Sequence, residues 1–305
     1  MMKYSKWLSK NTHLLTNSLA IVVGATGSIG KEIVDYLLYL KAKVVIGARN
    51  VDKANHLKKQ MLLKYPDALI YVEELDISDL SSIDRFQLNI DKKYPKADIF
   101  INNAGVYHLD RSISKDGYEI HFATNTLGNY YLAKKIVFDL KENARMVLVS
   151  SMSANFYSLD FSDIQSSHTK NKMKIYARSK RFMSCNSLKL KRELAPHNIE
   201  LSLTHPGICA TELFEKSHSK FFMHLIYPLM RVLFHSPKKA ALTTIKAIFT
   251  DTKLDEWITP RGLLQVWGYP KVSKISKKIS NIELCDKVNL ISNNMIEVHQ
   301  KSFKE

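Results

Sequence analysis

Short apolar runs alternate with amphipathic stretches along the first two thirds of this 305-residue chain. Leu19-Ala-Ile-Val-Val23, Lys43-Val-Val-Ile46, Leu69-Ile-Tyr-Val72, Asp98-Ile-Phe-Ile101, Arg145-Met-Val-Leu-Val149 and Ile199-Glu-Leu-Ser-Leu-Thr204 read as strands. Apolar runs of this length suit parallel strands covered on both faces. Between them, residues 31–40, 52–65, 79–94, 117–140 and 173–194 read as helices. Pro66 ends the second of these, Ser78 caps the third, and Pro196 stops the last. Strand and helix in alternation imply right-handed crossovers and an α/β fold, a doubly wound parallel sheet in three α/β/α layers.

The pattern changes at both ends. Residues 1–18 read as a short leading helix with Trp7, Leu8, Leu14 and Leu15 on its apolar side. Residues 221–234 are strongly apolar, but 14 residues broken by Pro228 and Arg231 are too few to span a bilayer. A lid over an apolar substrate, a dimer contact and an interfacial helix are the three readings of that segment. Ser236-Pro237 opens a further helix to about Thr250. Residues 257–262 and 266–270 read as aromatic, turn-rich segments, and 271–305 as polar terminal helices. With no internal repeat or linker, residues 1–305 are expected to form one domain: an extension over 1–18, a cofactor-binding and catalytic core over 19–213, and a lid with C-terminal helices over 214–305.

Composition narrows the function classes. An apolar fraction of 45% and 24% charged residues are those of a soluble globular protein. Cys185, Cys209 and Cys285 are odd in number and far apart in sequence, which suits a reducing compartment and neither a disulfide framework nor a zinc site. Nothing in residues 1–18 reads as a cleavable leader, so the expected location is cytoplasmic, with peripheral membrane contact through 221–234 as the alternative. The formal charge of +16 favours anionic partners in general. Between Asp163 and Glu193 the chain is basic without a carboxylate, a stretch that reads as a solvated face. No nucleic-acid-binding signature accompanies it, and no nucleic-acid partner is expected.

Candidate chemistry lies at the strand ends. Gly24-Ala-Thr-Gly27-Ser-Ile-Gly30 follows the first strand directly and opens a helix. In that context glycines let backbone approach a pyrophosphate, and the helix N-terminus offers unpaired N–H groups. The second strand ends in Ala48-Arg49-Asn50. A carboxylate near this point would bond a ribose 2′-hydroxyl, whereas an arginine accommodates a 2′-phosphate, so NADP(H) is favoured over NAD(H). Asn125 falls inside an apolar helix, where it makes either a structural hydrogen bond or holds a catalytic water at a kink. Tyr176 and Lys180 are one helical turn apart on one face. A neighbouring ammonium favours phenolate and lowers a tyrosine pKa, which makes the pair a candidate general acid/base.

These residues occur together, in order, with Asp76, Asn102-Asn103-Ala104-Gly105, Ser150-Ser151 and Pro206-Gly207. The chain from about Leu19 to Leu213 thereby resembles the short-chain dehydrogenase/reductases, a Rossmann-fold family, and especially their retinol-dehydrogenase-like branch. Serine at 28 departs from the usual glycine, and Gly27 is displaced by one residue. The 25 residues from Ser151 to Tyr176 are a longer separation than in the shortest members, as in that branch. The resemblance implies that Gly24, Thr26, Gly27, Ser28, Ile29 and Gly30 surround the pyrophosphate, with Arg49 and Asn50 at the adenosine ribose. It places Asp76 and Ile77 at the adenine, Asn103, Ala104 and Gly105 along the cofactor, and Pro206, Gly207 and Thr211 around the nicotinamide. It makes Ser151 the residue that bonds the substrate oxygen and Tyr176 the proton exchanger. Lys180 becomes the ribose ligand that lowers the tyrosine pKa, and Asn125 the holder of a relay water.

The expected function is thus an NAD(P)-dependent oxidoreductase interconverting a small-molecule aldehyde or ketone with its alcohol, on an apolar substrate. Two other classes compete: a catalytically silent cofactor-binding regulatory protein, and a basic membrane-surface protein. Monomer and homo-oligomer are both compatible with the sequence.

Overall fold

The structure, a computed structural model, describes residues 4–107, 110–209 and 236–302. Its centre is an eight-stranded sheet in the order β3-β2-β1-β4-β5-β6-β7-β8. The strands are β1 Leu19–Val23, β2 Lys43–Ala48, β3 Ile70–Glu74, β4 Ala97–Asn102, β5 Leu140–Val149, β6 Glu200–Thr204, β7 Glu256–Pro260 and β8 Pro270–Lys274. All pair in parallel except β8, which runs antiparallel to β7.

Side chains alternate across the sheet, and each face has its own core. On β1, Leu19, Ile21 and Val23 point into one core while Ala20 and Val22 point into the other. The second core is filled by Leu8 of α1 (Ser5–Asn11), Ile33 and Leu37 of α2 (Ser28–Tyr39), Leu57 of α3 (Val51–Lys64) and Ile245 of α7 (Pro237–Ile248). The first is filled by Ile83 and Phe86 of α4 (Leu80–Lys93), Leu132 of α5 (Asn129–Ile136) and Phe182 and Leu188 of α6 (Lys172–Leu194). After a single turn, α8 (Lys277–Ser280), the C-terminal helix α9 (Ile282–Ser302) packs along α6 and adds Val288 to that core. The alternation of apolar strands and half-apolar helices therefore yields the expected doubly wound sheet.

Several local expectations are corrected. The leading helix covers only Ser5–Asn11, and Leu14 lies 64% exposed while Leu8 and Leu15 are buried. Asp79 rather than Ser78 caps α4, because its carboxylate accepts from the Ser82 N–H while the Ser78 hydroxyl turns back to Asp76. Residues 257–270 are not merely turns: they hold β7, the connecting loop and the start of β8. Strand β8 also occupies 271–274, which were expected to be helical. Pairing with β6 extends the sheet in a way no local period announces. The basic stretch after Asp163 is not wholly a solvated face, since Lys180, Arg181 and Lys191 are buried. Lys191 enters the interior by bonding Glu200 and Thr252, and Arg181 by donating to the carbonyls of Tyr157 and Lys278.

Candidate active site

A cleft of about 490 Å³ opens at the carboxyl ends of β1, β2, β4, β5 and β6. It lies where the strand order reverses between β1 and β4, the crevice in which open α/β sheets bind ligands. At one end the chain leaves β1 through Gly24, whose φ of +79° suits glycine. Side chains are excluded from this turn. A Cβ on Gly30 would lie 2.0 Å from the Gly24 carbonyl oxygen, and one on Gly24 would lie 2.6 Å from the Ala104 nitrogen. A Cβ at Gly27 would meet nothing closer than 3.7 Å, so the displaced glycine is not sterically required. Gly27 is the N-cap of α2 and no side chain caps that helix end. The exposed backbone and the uncapped helix dipole fit an anionic phosphate group.

Thr26, Gly27, Ser28 and Ile29 line this end of the cleft, with Arg49, Asp76 and Ile77 beside them. Arg49 is 71% exposed along its side chain, with Nη1 4.0 Å from the Asp76 carboxylate, so its guanidinium can reach a ligand at low cost. Asn50 does not line the cleft. Its side chain accepts from the Lys53 N–H and caps α3. Asn103, Ala104 and Gly105 form the floor, and the Asn103 amide donates to the Gly24 carbonyl at 3.2 Å. Pro206 and Gly207 complete the far wall. Thr211 and the apolar segment 221–234 lie outside the described residues.

The other end of the cleft holds Ser151, Tyr176 and Lys180. Helix α6 carries the tyrosine and lysine on successive turns, as expected. Ser151 follows β5, with its hydroxyl within hydrogen-bonding reach of Tyr176. Its neighbour Ser150 turns inward to Ser184 at 2.6 Å and is structural. Burial pushes the Tyr176 phenol up to about 12, against a smaller opposing effect of the Ser151 hydrogen bond. Burial pushes the Lys180 ammonium down to about 8. The expected lowering of Tyr176 by Lys180 does not occur in this geometry. Lys180 Nζ donates to the Val149 carbonyl at 3.0 Å, and desolvation penalises both charged forms.

Asn125 sits in a π-helical segment, Phe122–Gly128, immediately before α5. Such widened turns are rare and concentrate at functional sites. Buried Glu119 precedes it, accepting from the backbone N–H groups of His121 and Phe122 and bonding the His121 ring at 2.7 Å. Burial acts to raise the Glu119 carboxyl, but these bonds hold it below its ordinary value. Asn125 itself does not line the cleft. It accepts from the Val106 N–H and donates to the Val106 carbonyl, both at 2.8 Å, and donates also to the Ser179 hydroxyl. Both amide hydrogens are thus committed. The residue nonetheless stands behind the site, since a Cβ on Gly105 would lie 3.1 Å from its oxygen and 3.2 Å from Lys180 Nζ.

Two residues joined the site without a sequence signal. Tyr107 packs edge-on against Tyr176 with ring centroids 4.8 Å apart. Ser153 donates from its hydroxyl to Ser151 Oγ at 2.9 Å. Met152, Phe156, Met173 and Ile208 give this end an apolar lining.

Residues 18–220 match the family pattern described as short chain dehydrogenase. Mouse retinol dehydrogenase 14 is 29% identical over 245 residues, covering 76% of this chain and 73% of that protein. A chloroplastic short-chain dehydrogenase of Brassica napus, TIC 32 B, is 32% identical over 247 residues, covering 77% of each. An uncharacterised protein of Mycobacterium paratuberculosis shares the fold with a TM-score of 0.76 at 22% identity, over 93% of this chain and 95% of its own. An NADPH-bound short chain oxidoreductase of Pseudomonas aeruginosa PAO1 gives 0.62 at 17% identity, over 78% and 91%. A glycine-lined turn at the switch point and these matches lead to one conclusion: the chain belongs to the short-chain dehydrogenase/reductase family, in its retinol-dehydrogenase-like branch, and is an oxidoreductase acting on CH–OH groups.

Proposed function

We propose that this protein is an NADP(H)-preferring enzyme that interconverts an aldehyde or ketone with its alcohol on an apolar substrate, with Tyr176 as general acid/base. The observation that carries the reading is the convergence of the Ser151 hydroxyl and the Tyr176 phenol at the apolar end of a cleft whose other end suits phosphates. A nicotinamide cofactor, when bound, supplies or accepts the hydride. Gly24, Thr26, Ser28, Ile29 and the α2 N-terminus would hold its pyrophosphate. Asp76 and Ile77 would face its adenine, and Asn103 to Gly105 would run beneath it.

The proton chemistry belongs to the chain. Tyr176, a neutral phenol at physiological pH, donates its proton to the carbonyl oxygen in the reductive direction. The Ser151 hydroxyl donates a hydrogen bond to the same oxygen as negative charge gathers there. Ser153 gives Ser151 a second partner and orients it. Asn125 braces the backbone at Val106, and Lys180 sits between that brace and Val149. Pro206 and Gly207 would close the nicotinamide end.

Preference for NADP(H) is supported by Arg49 at the end of β2, where Ala48 offers no carboxylate to a 2′-hydroxyl. An apolar substrate is supported by the Met152, Phe156 and Met173 lining and by relatives named retinol dehydrogenases. Residues 1–305 are proposed to act as one unit around a single sheet. Among the described residues, no helix is long and apolar enough to cross a membrane.

The test is NADPH oxidation against a panel of short and long aldehydes and ketones, with Tyr176→Phe as control. Turnover by the native protein, lost in Tyr176→Phe with NADPH affinity retained, is expected. Equal activity in the two proteins would remove Tyr176 from the mechanism.

A further inference from the structure

The loop between β7 and β8 is built to present apolar side chains to the outside. Leu263 and Leu264 are 78% and 75% exposed, and Trp267 is 50% exposed. A floppy loop would fold such groups back. This one is held by the Gly262 N–H on the Trp267 carbonyl at 2.6 Å and the Arg261 N–H on the Tyr269 carbonyl at 2.8 Å. Its turn places two successive non-glycine residues in the left-handed region, Leu264 at φ 52° and Gln265 at φ 61°. That conformation is disfavoured for both residue types and persists only where surroundings enforce it. Here the enforcement includes buried His205, whose Nε2 bonds Gln265 Oε1 at 2.9 Å, and the Ile208 N–H, which donates to the Val266 carbonyl at 3.1 Å.

The base of the tip is a cationic collar. Tyr269 stacks on Trp7 of α1 with centroids 6.4 Å apart, and Lys239 Nζ of α7 lies 5.0 Å from the Tyr269 ring centre. Three segments therefore meet here: 4–17, 236–250 and 257–274. They carry eight lysines and arginines, among them Lys6, Lys238, Lys239, Arg261 and Lys271, and no aspartate or glutamate, although Glu32 of α2 faces Lys238. Asp255 and Glu256 lie at the opposite end of the hairpin, where both face Lys274.

From this arrangement we infer that the β7–β8 tip docks the protein on an anionic lipid surface, with Leu263, Leu264 and Trp267 entering the headgroup layer and the collar meeting lipid phosphates. Apolar groups projecting from a basic rim match both parts of an anionic bilayer interface. A polyanion without an apolar layer would leave the leucines unpartnered. The tip is continuous with the cleft wall, because Val266 and Gln265 bond directly to the His205–Ile208 turn. Docking would thus set one wall of the cleft against the lipid. The docking itself does not depend on the reaction proposed above.

The test uses the full chain with sucrose-loaded vesicles of phosphatidylcholine alone and of phosphatidylcholine mixed with phosphatidylserine. Sedimentation with the mixed vesicles, reduced by high salt, is expected. The double variant Leu263→Asp/Leu264→Asp should bind them at least about tenfold more weakly. Its melting temperature and NADPH affinity should be unchanged, which separates lost docking from lost folding. Absence of binding to mixed vesicles by the native protein would overturn the proposal. So would undiminished binding by the double variant, or a concentration-dependent native dimer that the double variant abolishes, since the tip would then serve a second copy.

Discussion

Ser153 Oγ donates to Ser151 Oγ at 2.9 Å, and the Ser153 backbone N–H points to the same oxygen at 3.2 Å. With its acceptor sites so occupied, the Ser151 hydroxyl is left to donate its own hydrogen, toward Tyr176 and any oxygen held beside it. One residue thereby decides the direction in which another is polar. Ser153→Ala should lower kcat by roughly tenfold, the worth of a lost hydrogen bond of about 1–1.5 kcal/mol, with KM little changed. Ser153→Thr should recover much of the loss. Steady-state kinetics on the best substrate of the panel checks this, and a change confined to KM would contradict it.

Lys180 makes stability depend on pH in a defined direction. Its folded pKa of about 8 lies below the ordinary 10.5, so between those values the unfolded chain binds more protons. Stability contributed by this group therefore rises with pH across that window, and the cost of burying the ammonium is fully present below pH 8. Lys180→Met should abolish turnover yet raise stability at pH 7 by roughly 3 kcal/mol. The advantage should shrink from pH 8 upward and vanish near 10.5. Urea unfolding of both proteins at pH 7 and pH 10 measures it. A constant difference would show that Lys180 keeps its ordinary pKa.

Gly30 tests the proposed phosphate cradle. A Cβ there would lie 2.0 Å from the Gly24 carbonyl oxygen, with no flexible side chain to yield. Gly30→Ala should lose about 1–3 kcal/mol of stability from overpacking and should weaken cofactor binding more than that loss alone predicts. Gly27→Ala, with its nearest contact at 3.7 Å, should retain most of both. Thermal melts with and without NADPH separate the two variants.

Arg49 tests cofactor preference. Its guanidinium is exposed at the end of β2, 4.0 Å from Asp76. Arg49→Asp should weaken NADPH by about tenfold or more while sparing NADH, because a carboxylate repels a 2′-phosphate and accepts from a 2′-hydroxyl. Binding titrations with both cofactors decide the matter, and an equal loss for the two would remove Arg49 from the preference.

The sequence by itself determined the elements whose signal is local. Six strand runs, the strand-glycine-helix turn and the Tyr176–Lys180 spacing are all set within a few residues, and the structure has each of them at its expected place. What depended on distant partners was not legible. Strands β7 and β8 exist because β6 offers an unpaired edge, and their own residues carry no clean period. Asn125 was visible as a polar residue in an apolar helix, but only packing shows that both its amide hydrogens are taken by Val106 and Ser179. The sign of the pKa shift at Tyr176 was the clearest case. Helical spacing alone puts an ammonium beside a phenol and lowers the phenol's pKa. The folded chain instead turns that ammonium to the Val149 carbonyl and withdraws both groups from bulk water, so desolvation sets the direction of both shifts. Burial is a property of the whole chain, and no window of sequence contains it.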